Sequence, residues 1–299
     1  MNHLPFTITA YLFNAIAVLA NKFLLQKTIP DPLVYVFYIS IVSLLAILVL
    51  PFTNTPTLST FYLASVSTVL WTLGAYFMFK ALKLGNVSRV IPIIGTLIPL
   101  ILLVFATETH AISTTQTWAV WLLIAGIVFI TITDWAGKLS IREIMFEVLS
   151  GGFFAISYIV LREAYLNSDF FSVIVWSRLI LLPLCIFMLV IPALRKKIFT
   201  SNGLRINFFS KAGLVFLGGQ ISGASSEFLL LFSISLANPA LVNSLQGVQY
   251  VFLLLFAIFL SKKYPQIFEE KYTPVVMLSK LAGIGLLGIG LYLLAFASG

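Results

Sequence analysis

Apolar runs of roughly 17–23 residues recur along the whole chain between short polar breaks, the length a helix needs to cross hydrocarbon. The pattern predicts helices near 6–26, 33–51, 59–80, 88–106, 118–134, 143–162, 171–193, 211–233, 239–260 and 273–296. The breaks between them carry turn chemistry, as in Thr28-Ile29-Pro30-Asp31-Pro32 and Thr53-Asn54-Thr55-Pro56, where proline removes donors and short polar side chains satisfy helix ends. The longest break, Arg195–Ser210, follows the seventh segment. Ten segments divide as five plus five.

The pattern also repeats. Adding 152 to the numbers of Tyr76–Val104 gives Phe228–Phe256; Leu84 then falls on Leu236, Asn86 on Asn238, Val90 on Val242 and Gly95 on Gly247. In each copy an apolar helix ends, a short Asn-containing turn follows and a second apolar helix begins. An internal offset of half the chain points to duplication, so the expected units are 1–137 and 138–299. With five helices each, the second unit must be inverted relative to the first, an arrangement that places a binding site at mid-membrane between the repeats. The expected fold class is therefore an all-α polytopic membrane protein of ten transmembrane helices in two inverted five-helix repeats.

Composition agrees with that class. Of 299 residues, 60% are hydrophobic and only 9% charged, and the mean hydropathy is +1.07, too little polar surface for a soluble domain of this size. The single cysteine, Cys185, excludes an internal disulfide. The start, MNHLPF, has no Lys or Arg before its apolar run and reads as the first membrane helix rather than a cleavable signal. Of the 18 Lys and Arg, all but Arg178, inside a helix, and Arg162, expected in the sixth-to-seventh connection, lie at or near one membrane face. The positive-inside rule makes that face cytoplasmic, with both termini outside, in the cell (inner) membrane. The net charge of +8 is then a topology signal and an attraction for anionic membrane lipids, not a nucleic-acid footprint.

The segment ALKLGNVSRVIPIIGTLIPL at 81–100, a polar break containing Glu108, and WLLIAGIVFI at 121–130 resemble the EamA-like repeat of the drug/metabolite transporter superfamily. LANPALVNSLQGVQYV in the second half keeps the same frame, with Val251 where the first half has Pro99. The resemblance implies a pseudo-symmetric ten-helix carrier, commonly an exporter of amino acids or similar metabolites. It also implies cytoplasmic termini, against which the charge distribution stands.

Ionisable side chains at helix depth are costly and mark functional candidates. Arg178 on the seventh helix and Glu227 on the eighth both fall roughly 10 Å below the same face at 1.5 Å per residue, so a pair between them is geometrically open. That pair either fixes helix packing or lines a cavity: a free Arg178 would anchor a substrate carboxylate or phosphate, and an unpaired Glu227 would couple transport to protons. Asn243, Gln246 and Tyr250 share one face of the ninth helix, with Gln249 beside it, and Gln220 shares a face with Glu227. In the first half, Asn14 is the deepest polar residue of the first helix, and Trp71 and Tyr76 on the third are either ring platforms for a substrate or core packing. Lys22, Lys80 and Lys83 read as cations snorkelling to the cytoplasmic surface. Pro92 and Pro99, with Gly95 between them, free backbone carbonyls for a gate or a fixed kink.

Two patterns carry no site. Gly283-Ile284-Gly285-Leu286-Leu287-Gly288 spells a dinucleotide fingerprint, but inside an apolar helix it reads as a smooth packing face. His3 and His110 lie in separate loops, and one cysteine completes no metal site. No cofactor is expected, and no clustered His, Asp or Glu at helix depth supports an enzyme. The expected function is secondary active transport of small organic metabolites by alternating access, with no ATP-binding motif; the alternative is a lipid-linked substrate carrier or flippase on the same fold. Substrate identity, coupling ion, direction and oligomeric state stay open at this level.

Overall fold

The computed structural model describes residues 3–106, 114–131, 140–200, 209–236, 242, 245–265 and 273–297. All secondary structure among these residues is helical. In chain order the helices are α1 (Leu4–Lys27), α2 (Pro32–Ser43), α3 (Leu58–Leu84), α4 (Val87–Ala106), α5 (Thr114–Thr131), α6 (Ile141–Leu166), α7 (Phe170–Ser177), α8 (Leu181–Val190), α9 (Pro192–Thr200), α10 (Lys211–Leu236), α11 (Gln246–Lys263) and α12 (Pro274–Ala297). Among the described residues seven helical runs are long and apolar enough to cross a membrane, including Pro32–Phe52 and Phe170–Val190, each of which is part α-helix and part 3-10 helix. Shorter apolar stretches lie in α4 and α5. Large apolar side chains such as Leu48, Ile221 and Leu278 point outward, as hydrocarbon solvent requires.

Helix starts follow local chemistry. Asp31 accepts from Leu33 N at 2.9 Å, Thr57 from Thr60 N at 3.2 Å, Ser140 from Glu143 N at 3.3 Å and Asp169 from Ser172 N at 2.9 Å. Each satisfies a backbone donor that has no partner within the helix.

Two segments expected as continuous helices are not. After Ser43 the chain tightens into a 3-10 helix over Leu44–Phe52 containing Pro51. The expected helix 171–193 is interrupted by a 3-10 turn, Arg178–Ile180, between α7 and α8. The cause is Pro183 in the first turn of α8. It has no N–H to give the carbonyl four residues back, and its ring crowds that carbonyl, so the preceding turn winds more tightly.

The principal packing pairs are α3 with α6, α1 with α10 and α5 with α12; α4 lies on α6 and α1 on α11. Small residues permit the close approaches, which replace hydrophobic driving force in lipid. An added methyl on Gly219 would meet Ala20 Cβ at 2.7 Å, and one on Gly223 would meet Ala17 Cβ at 3.7 Å. Of the apparent dinucleotide motif, Gly283 does the same against Gly126 O and Ile130, while a methyl at Gly285 or Gly288 would meet nothing within 4 Å; nearby, Gly290 faces Leu123 and Ala119 O, and Gly247 faces the Gly288 backbone. Buried hydroxyls stitch α3 to α6. Ser67 Oγ donates to Ser157 O at 3.0 Å, Ser157 Oγ to Ser67 O at 2.9 Å, and Ser150 Oγ to Gly74 O at 2.9 Å.

Candidate functional site

The 3-10 turn aims Arg178 across the bundle at α10, where Arg178 Nη2 donates to Glu227 Oε1 at 2.6 Å. The pair is half-shielded, with side-chain exposures of 13% for Arg178 and 36% for Glu227. The Arg178 guanidinium also lies over the Trp71 ring, 5.9 Å from its centroid. Trp71, Thr72 and Ala75 of α3, Ser40 and Ser43 of α2, and Arg178 together line a narrow cleft. Its free space, about 10 Å³ measured to the centre of a water molecule, holds roughly one water. A wider hollow of about 300 Å³ opens between Thr55, Pro56, Leu58, Phe61 and Trp176, two residues before Arg178 in the chain. Tyr158 and Tyr165 of α6 lie within electrostatic reach of Glu227. Arg178 is thus held by a carboxylate and an aromatic face, beside a cleft with room for about one water.

The other expected residues divide into separate groups. Asn14 Nδ2 meets Gln249 Oε1 at 3.4 Å, so Gln249, expected beside the polar face of the ninth helix, is the residue buried against α1. Tyr250 is buried, and both its hydroxyl and the Gln246 amide crowd the space over Gly95 of α4. Tyr11, absent from the expected set, donates to Val242 O at 3.0 Å and lies in electrostatic reach of Tyr250 and Tyr158, linking this group to the one around Glu227. A tyrosine at helical spacing looks like core packing, so nothing in the sequence marked it. The expected helix 239–260 has its described run at Gln246–Lys263; Asn243 lies outside the described residues, as do Glu108 and His110. Gln220 sits beside the Tyr35 hydroxyl, which donates to Asn21 Oδ1 at 2.5 Å, two turns along α10 from Glu227. Tyr76 does not join Trp71. Five residues on, its ring turns to another face and packs under the Lys80 ammonium at 4.5 Å.

Three expectations about basic residues are corrected. Lys22 does not snorkel: it is buried, and its ammonium donates to Leu82 O at 2.6 Å and Gly85 O at 2.9 Å. The exposed carbonyls at the C-terminus of α3 form the negative end of a helix dipole, which draws a cation inward. Arg162 lies within α6, exposed near its end, not in the following connection. Arg89 and Lys280, counted with the surface charges, are also buried; Arg89 pairs with Glu143 of α6, each side chain 3% exposed, and Lys280 Nζ donates to Ser88 Oγ at 2.7 Å. Lys83 is exposed as expected and reaches Pro30 O at 2.6 Å. The Arg89–Glu143 pair had a sequence signal, Ser140-x-x-Glu143 at a helix start, but that motif reads as a capping box and conceals the partner.

No His, Cys, Asp or Glu cluster suited to a metal occurs among the described residues, and Cys185 is a free, buried thiol. No protein-family model and no curated protein sequence matches the chain.

Proposed function

We propose that this protein is a secondary carrier for small organic metabolites of the amino-acid or amphipathic-anion class, working as an exporter. The observation that carries the reading is the Arg178–Glu227 pair under the Trp71 ring, placed where a 3-10 turn interrupts an apolar run long enough to span a membrane. Interrupted helices with ionisable groups at membrane depth are the way carriers build substrate sites in hydrocarbon. A substrate carboxylate competes with Glu227 for the forked donors of Arg178, and the indole covers its apolar part. Because the cleft beside Arg178 holds about one water, a substrate enters only when the surrounding helices part, which is the motion alternating access requires.

The same reading takes the chain as ten membrane segments in two inverted units, 1–137 and 138–299, of the EamA-like type. The packing supports it: exchanging the first five segments for the last five turns the α3–α6 pair into the α10–α1 pair and leaves α5–α12 paired with itself. The basic loops then face the cytoplasm and both termini lie outside the inner membrane.

The test is counterflow in proteoliposomes, with purified protein loaded against labelled amino acids, nucleosides, sugars and organic acids, with and without a pH gradient. Exchange of a carboxylate-bearing class, abolished by Arg178→Ala in folded protein, is the expected result. Exchange of no class by folded protein overturns the reading and favours a lipid-linked substrate instead.

A further inference from the structure

A second ionic cluster lies at the opposite end of the bundle, between α4 and α6. Glu143 and Glu147 stand one turn apart on α6 and share a face, roughly 3 and 9 Å in from the helix start. Glu143 pairs with Arg89, its carboxylate packed into the space left by Gly85 at the end of α3. Glu147 lies deeper, is 0% exposed, and neither of its carboxylate oxygens has a hydrogen-bond partner.

The basic side chains packed at this end of α1, α3, α4 and α12 each have another partner. From α4, Arg89 is within electrostatic reach of Glu147, but its Nη2 is held by Glu143. From α3, the Lys80 ammonium sits over the rings of Tyr76, Phe77 and Phe146. Lys22 of α1 is bonded to the carbonyls at the end of α3, and Lys280 of α12 to Ser88. On α6 itself, Ser150 donates to Gly74 O. A carboxylate stripped of water without a donor is the costliest form of that side chain, and a proton removes the charge.

We propose that Glu147 is a proton-binding site, occupied when Arg89 is paired with Glu143 and emptied when Arg89 swings one turn along α6 to pair with Glu147. The carboxyl then gives its proton to water admitted as α4 shifts on α6, and Glu143, buried while Arg89 holds it, is uncovered by the same movement. Proton occupancy is tied to the seating of α4 on α6. The proton site stands independently of the carrier reading; its use to drive transport rests on that reading.

The test is infrared spectroscopy of the full chain in lipid vesicles at neutral pH. Wild type is expected to show a protonated-carboxyl C=O band that shifts in D2O, is lost in Glu147→Gln and is kept in Glu227→Gln. Glu147→Asp moves the band without removing it, which identifies the residue even if the glutamine variant folds poorly. In Glu143→Gln the band weakens, because Arg89 is released toward Glu147. A wild type without the band, or a band unchanged in both Glu147 variants, overturns the site; a band equally strong in Glu143→Gln overturns the exchange of Arg89. Counterflow failing while the band behaves as expected removes the carrier reading and leaves the proton site standing.

Discussion

Gly85→Ala is expected to destabilise the protein through space alone. Gly85 caps the end of α3 with φ −111° and ψ 174°, extended backbone that alanine adopts freely. The added methyl, however, would overlap the Glu143 carboxylate and lie 2.7 Å from Arg89 Nη2. Either the carboxylate swings away, breaking a pair whose members are each 3% exposed, or the end of α3 lifts off α6. Breaking a buried pair costs about 3–5 kcal/mol, and the lost backbone freedom of glycine in the unfolded chain returns about 0.4–1 kcal/mol. The net is a loss of about 2–4.6 kcal/mol, a fall in Tm of roughly 4–9 °C for a large chain. The assay is thermal unfolding of the detergent-purified protein, with Gly152→Ala and Gly218→Ala as controls. A methyl at either control site meets nothing within 4 Å, so both should be neutral or raise stability by about 0.5–1 kcal/mol as helix formers. Gly85→Ala melting at or above wild type would refute the argument that Glu143 occupies that space.

Arg178→Ala leaves Glu227 without its 2.6 Å partner and should cost about 1–3 kcal/mol; Arg178→Met with Glu227→Leu should recover most of it, read as Tm of the three proteins. Ser67→Ala removes one of two reciprocal bonds to Ser157 and should cost about 0.6–1.7 kcal/mol; the Ser157 hydroxyl still reaches the Ser67 carbonyl in that variant, so adding Ser157→Ala should cost a similar amount again. Asp169, at the head of α7, is held below the usual carboxylate range by the Ser172 backbone N–H, with help from its hydroxyl and from Asn54. Its contribution to stability is full above the unfolded carboxylate value of about 4 and is lost as pH falls through the lower folded value. Melting of Asp169→Asn should therefore fall less steeply than wild type between about pH 5 and pH 2, and an identical slope would sink this assignment.

Much of the architecture was legible in the chain, because hydrocarbon imposes a length and a polarity that local sequence must meet. Most helices fall where the apolar runs predict, apart from α9, which occupies the first part of the expected break Arg195–Ser210; Asp, Thr and Ser side chains cap several of their starts, and Gly283 and Gly290 of α12 pack closely on α5. Arg178 and Glu227 stood out because ionisable groups at helix depth are rare, and equal depth on antiparallel neighbours made their pairing geometrically available. The interruption at Arg178 also had its signal, Pro183, hidden inside an otherwise unbroken apolar run.

Tertiary structure decided what each polar group does. Lys22, Arg89 and Lys280 look in sequence like surface charges near helix ends, and it is the carbonyls of α3, Glu143 and Ser88 from other helices that draw them inward. Tyr76 and Trp71 look alike on α3, yet helical rotation sends one to Lys80 and the other to Arg178. Glu147 is distinguished by having no donor at all, a property of its neighbours and not of its own position. Sequence determines whether a segment suits hydrocarbon, since that depends on the segment's own side chains. Whether a charge inside it is paired, capped or left to a proton depends on groups tens to hundreds of residues away.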